Sequence, residues 1–186
     1  MRNQAHSRPQ LHVAKLYLMD TSGSMNGVKL DQLKRVLVDL IASGQYYAQD
    51  LVSLWSFDAQ CRKHVGFTPV RGIGQHWHDA VLSLRADGTT NMASALYTTI
   101  GAMAEARHFK KTIVLLSDGM PYPESRDQVL ARLPAAQRYH IRINTVGFGE
   151  ADALDIPLLR QLAAATGGTF THARALAELS AALRAA

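Results

Sequence analysis

Short apolar runs alternate with helical patterns along nearly the whole of this chain, and that alternation limits its fold more than any other feature. Residues 11–19 form an apolar stretch that stops at Asp20; Leu30, Leu33, Leu37, Leu40 and Ile41 then recur at spacings of three and four, as on one buried helical face. Residues 51–57 read as a second strand, and 61–67 as a shorter one folding back beside it across Asp58-Ala59-Gln60. Helical patterns follow at 75–84 and 92–107, separated by a turn over 86–91. The second half repeats the order: strand 111–117, helix 127–136 ended or bent by Pro134, strand 141–146, helix 156–165 closed by Thr166-Gly167-Gly168, strand 169–171, helix 173–184. Strands alternating with helices predict an α/β fold. We expect a doubly wound, Rossmann-like, mostly parallel sheet of about six strands with helices on both faces.

In such a sheet, sites lie in the loops at the carboxyl ends of the strands, near the point where strand order reverses. Three polar loops qualify. Asp20-Thr21-Ser22-Gly23-Ser24 follows the first strand, Gly88-Thr89-Thr90-Asn91 precedes the helix at 92–107, and Asp118-Gly119 ends the strand at 111–117. An aspartate and two serines at alternate positions, on a turn loosened by Gly23, direct three oxygen groups at one spot. Two carboxylates and several hydroxyls, with neither histidine nor thiolate, suit Mg²⁺, Mn²⁺ or Ca²⁺ and not zinc or copper.

Asp20-Thr21-Ser22-Gly23-Ser24-Met25, Gly88-Thr89-Thr90-Asn91 and Leu116-Ser117-Asp118-Gly119 resemble, in order, the three parts of the metal-ion-dependent adhesion site of von Willebrand factor type A domains, in a bacterial stand-alone form. The similarity spans nearly the whole chain, including Leu54-Trp55-Ser56-Phe57-Asp58 and Val146-Gly147-Phe148-Gly149. It implies that the hydroxyls of Ser22, Ser24 and Thr90 hold a cation, preferably Mg²⁺. Thr90 fits this role better than Thr89, because Asn91 and Met92 then fall where the family has a polar and an apolar residue. Asp20 and Asp118 match the acidic positions that in the family often act through bound water. Ser117 stands where many members have threonine.

With neutral hydroxyls as the direct ligands, the cation keeps much of its charge and one open position, which a glutamate or aspartate of a partner protein completes. The resemblance therefore implies a metal-dependent adaptor or regulatory subunit without catalysis. Its partners would be of the MoxR-type AAA+ ATPase or kinase and phosphatase kinds. The rival expectation is a scaffold with a silent metal site, binding through apolar helix faces or a basic surface. A third class is nucleic-acid binding, for which the sequence offers little. The net charge is +5, but Lys34-Arg35, Arg62-Lys63, Lys110-Lys111, Arg138, Arg142, Arg160 and Arg184 are scattered and not interleaved with aromatics.

Enzymatic motifs are missing where they would be needed. An aspartyl-phosphate site places a carboxylate two residues after its nucleophile, where Ser22 stands. There is no Gly-rich string ending in Gly-Lys-Ser/Thr, Gly147-Phe148-Gly149 lacks a third glycine, and Ser22-Gly23-Ser24 is no nucleophile elbow. His76 and His78 lack a third ligand nearby and read as surface or packing residues, as Trp55 and Phe57 read as core. Asp58 reads as a turn residue, with support of the metal site from behind as its alternative role, while Met25 and Tyr122 are candidates for an apolar rim.

A chain of 186 residues, 47% apolar, has the size of one domain, which we place at 11–186 after a flexible extension at 1–10. A lone cysteine, Cys61, and the absence of a long apolar run or secretion signal lead to the expectation of a cytoplasmic protein.

Overall fold

The computed structural model describes residues 12–107 and 109–186; the extension expected at 1–10 lies outside them, as does Leu11. Six strands form one sheet: β1 Val13–Asp20, β2 Leu51–Phe57, β3 Cys61–Pro69, β4 Lys110–Ser117, β5 Ile141–Phe148 and β6 Phe170–Ala173. Their spatial order is β3-β2-β1-β4-β5-β6. All neighbours are parallel except β2 and β3, which form the expected hairpin. The chain leaves β1 toward β2 on one side and later returns to β4 on the other. The loops after β1 and β4 therefore part around a crevice at the carboxyl edge.

Side chains on β1 alternate between two cores. Tyr17 and Met19 pack with Leu33 and Leu37 of α1 (Val28–Ala42), Trp77 of α2 (Gly74–Ser83) and Leu179 of α7 (Leu176–Ala185). Leu16 and Leu18 face the other way. They meet α3 (Met92–Ala104), α4 (Arg126–Leu130), α5 (Leu133–Arg138) and α6 (Ile156–Ala165) through Leu96, Val129, Ala136 and Leu159. In the first core the Trp77 indole N–H donates to the Leu37 carbonyl at 2.6 Å, and its ring meets Tyr17 edge-on at 5.9 Å.

Three local expectations change. The pattern at 127–136 is two short helices, and Pro134 sits in the first turn of the second, where its fixed φ suits a helix start. The last helix begins at Leu176 rather than 173, because β6 runs on to Ala173. Met25 is wholly buried in the first core, so it forms no rim; the 3₁₀ turn Gly23–Met25 directs it inward. Among the described residues, no helix is long and apolar enough to cross a membrane.

Candidate metal centre

The three polar loops meet at the carboxyl edge, joined pairwise by hydrogen bonds. The first and second are tied by Gly23 N–H to the Gly88 carbonyl (3.1 Å) and Asp87 N–H to the Thr21 carbonyl (2.9 Å). Between the second and third, Thr90 and Tyr122 exchange backbone bonds of 2.9 and 3.1 Å in an isolated antiparallel bridge. The first and third share side chains: the Ser24 hydroxyl donates to Asp118 Oδ1 at 2.7 Å, and Ser117 donates to Asp20 Oδ2 at 2.7 Å. Gly88 holds φ +71°, a turn open to glycine at little cost, and sets its backbone against Ala59.

Asp20 anchors the base of the site. It is fully buried, and its second oxygen accepts the Ser22 N–H at 2.9 Å, so the carboxylate shapes the turn that carries both serines. Burial pushes its carboxyl up to about 6, and the nearby Asp118 adds to the rise; hydrogen bonds from Ser22 and Ser117 oppose it. Ser22 and Asp118 are buried, whereas Ser24 is exposed, so the polar groups rise from the core toward solvent. The Ser22 and Ser24 hydroxyl oxygens lie 3.1 Å apart. Neighbouring ligands of an octahedral Mg²⁺ at ~2.1 Å are about 3.0 Å from one another, so these two oxygens have the spacing of adjacent corners.

Thr89 and Thr90 differ in their surroundings. The Thr89 hydroxyl is spent on Asn91 Oδ1 at 3.2 Å, while Thr90 is nearly buried and makes its hydrogen bonds through its backbone. Asp20, Ser22, Ser24 and Asp118 form one hydrogen-bonded set, and the loop that carries Thr90 is docked by backbone bonds against both neighbouring loops. Among the described residues, no group of three or more His, Cys, Asp or Glu side chains is placed to hold a metal ion. His78 Nδ1 lies 3.6 Å from the carboxylate of the adjacent Asp79. Asp58 is the turn residue expected, accepting the Gln60 N–H at 2.8 Å, and its carbonyl also takes the Asn91 N–H at 2.9 Å, which steadies the second loop.

Two site residues escaped the sequence reading. Lys29, in the first turn of α1, reaches Asp118 Oδ2 at 2.5 Å. Glu124, in the third loop, accepts from Ala93 N–H (2.5 Å), Ser94 N–H (3.0 Å) and the Ser94 hydroxyl (2.6 Å), capping α3 directly behind Thr90. Both contacts bridge distant parts of the chain, and no local motif signals them. Replacing Glu124 with alanine should cost about 1–2 kcal/mol, read as a lower urea midpoint with an unchanged slope. In or next to these loops, Val28 (71% exposed), Met120 (55%) and Tyr122 (68%) are exposed apolar side chains.

The von Willebrand factor type A domain model matches residues 16–184. Human von Willebrand factor A domain-containing protein 3A is 32% identical over 82% of this chain and 13% of its own length. The chain spans only 36% and 13% of the lengths of the curated relatives it matches. Among solved structures, a von Willebrand factor type A protein from Catenulispora acidiphila superposes with a TM-score of 0.81 at 20% identity, over 94% of this chain and 41% of that one. The pilus adhesin SpaC from Lactobacillus rhamnosus GG does so with 0.79 at 15% identity, over 96% and 30%. The six-stranded α/β sheet and the family match over 16–184 agree: this chain belongs to the von Willebrand factor type A domain family.

Proposed function

We propose that this chain is a metal-dependent protein-interaction module. In this reading Ser22, Ser24 and Thr90 hold a divalent cation, Mg²⁺ first, through their hydroxyls, with Asp20 and Asp118 behind them. The bound cation supplies an electrophilic centre for an oxygen anion. A glutamate or aspartate on a partner protein completes the site, and Val28, Met120 and Tyr122 receive the apolar residues beside it. The observation that carries the reading is the hydrogen-bonded set of Asp20, Ser22, Ser24 and Asp118, in which the Ser22 and Ser24 hydroxyl oxygens lie 3.1 Å apart. The SpaC likeness adds that the same fold serves in a pilus adhesin. An adaptor to an AAA+ ATPase or to a kinase or phosphatase module is the partner class proposed, with the cytoplasm as its setting and no catalysis of its own.

Calorimetric titration of Mg²⁺ tests the site. One binding event is expected in the wild type and none in the Ser22→Ala, Ser24→Ala double variant, and equal heats in both would reject it. At a hundredfold excess over Kd, the cation should add about 2.7 kcal/mol to stability.

A second reading rests on a different surface. At the opposite, amino-terminal edge of the sheet, a cleft of about 870 Å³ is lined by Lys15, Lys110, Lys111 and Arg142 among others. Metal-independent docking of an acidic partner there would survive EDTA. Partner capture from the native host, repeated with EDTA, separates the two: loss supports the metal site and persistence supports the cleft.

A further inference from the structure

Lys29 stands where helix physics disfavours it. It is the second residue of α1, and a cation in the first turn opposes the positive end of the helix dipole. A residue that breaks a local rule needs a gain elsewhere. Here the gain is Asp118, whose side chain is wholly buried and whose Oδ2 takes the Lys29 ammonium at 2.5 Å, while Ser24 occupies Oδ1. The ammonium is held in a fixed corner. Gly149, at the carboxyl end of β5, lies so close that a Cβ there would stand 3.5 Å from Nζ. The lysine nevertheless keeps 35% of its side chain exposed, so it has room to swing outward.

The charges decide what this contact does. With both carboxylates ionised, Asp20 and Asp118 contribute two negative charges and Lys29 returns one. A divalent cation entering the hydroxyl site leaves an excess of one positive charge, whereas without Lys29 the centre would be neutral. One external carboxylate cancels that excess.

We propose that Lys29 is a built-in counter-cation that weakens the hold on the divalent ion when no partner is present, and so makes cation and partner carboxylate bind cooperatively. The inference rests on the metal-site reading above and adds the regulation of that site. The ammonium holds the Asp118 oxygen in the empty site and repels the incoming ion. A partner carboxylate then offsets the repulsion, and each ligand raises the affinity of the other by the same factor.

Mg²⁺ is titrated by calorimetry into the wild type, Lys29→Met, Lys29→Gln and Lys29→Arg at pH 7.5, with sodium acetate or an equal ionic strength of chloride. Lys29→Met should bind Mg²⁺ at least about tenfold more tightly than the wild type, the scale expected of one unit charge a few ångströms from a divalent ion in a partly solvated site. Lys29→Gln, which keeps a donor for Asp118, should follow it, and covers the case in which the methionine variant does not fold. Lys29→Arg should stay near the wild type. Acetate should tighten binding by a larger factor in the wild type than in Lys29→Gln. Equal or weaker Mg²⁺ binding by both neutral variants overturns the proposal, as does an acetate effect that ignores residue 29. Absence of Mg²⁺ binding in wild type and variants alike overturns the metal-site reading itself, a result distinct from equal binding in all four.

Discussion

Gly168→Ala should cost more than about 3 kcal/mol and leave little folded protein at 37 °C. A Cβ at this position would lie 2.0 Å from the Ile143 carbonyl oxygen, 2.6 Å from its carbon and 2.9 Å from Asn144 Oδ1. All three atoms belong to β5 residues, and the Asn144 side chain is pinned because its Oδ1 accepts the Thr169 N–H at 3.0 Å. A flexible neighbour would yield, but a backbone carbonyl inside a parallel ladder cannot. The substitution has to push β6 and its entry loop off the sheet. Urea unfolding followed by far-ultraviolet circular dichroism measures the loss, and a cost below 1 kcal/mol would contradict the close approach described. Gly167→Ala, with φ +69° but open space around its Cα, should cost less than Gly168→Ala.

Asp20→Asn should act in the opposite direction in metal-free buffer. The Asp20 carboxyl titrates at about 6 in the folded protein, against 3.8 for the unperturbed group. The folded state thus binds this proton more tightly than the unfolded chain does. Where the group is ionised in both states, above pH 6, folding carries the full penalty, and as pH falls from 6 toward 3.8 the penalty disappears. A shift of this size corresponds to about 3 kcal/mol. Asparagine keeps an acceptor for the Ser22 N–H, and Ser117 can turn its hydroxyl to the Gly119 carbonyl at 3.3 Å. The variant should therefore gain up to about 3 kcal/mol over the wild type at pH 7.5 in EDTA, with the gain shrinking toward pH 4. Its response to Mg²⁺ should be lost. A stability difference independent of pH would show that burial of the charge is not the cause.

How much of this was legible in the sequence depends on range. The strand and helix alternation, the hairpin of β2 and β3, and the three polar loops could all be read locally, because apolar periodicity marks the elements and Asp, Ser, Gly and Thr between them mark the turns. The preference for Thr90 over Thr89 rests on Asn91 and Met92 following it, and stays part of the proposed metal site. Lys29 was not. Its pairing with Asp118 joins positions 89 apart, and helix rules alone would call it misplaced. Glu124 was hidden in the same way, as its cap lies 31 residues back along the chain. Met25 was misjudged because a single 3₁₀ turn decides whether it faces solvent or core. Pro134 reads locally as the end or bend of a helix, although the same fixed φ also starts one.

The backbone bridge between Thr90 and Tyr122 makes the second and third loops one mechanical part. Tyr122 offers a partner an exposed ring, and two hydrogen bonds behind it Thr90 holds one of the hydroxyls assigned to the cation. A pull on Tyr122 therefore also loads the loop that carries Thr90. If the proposed interface forms, the grip on the partner and the grip on the ion should fail together under tension, with the load set by two backbone hydrogen bonds rather than by the apolar surface that meets the partner first.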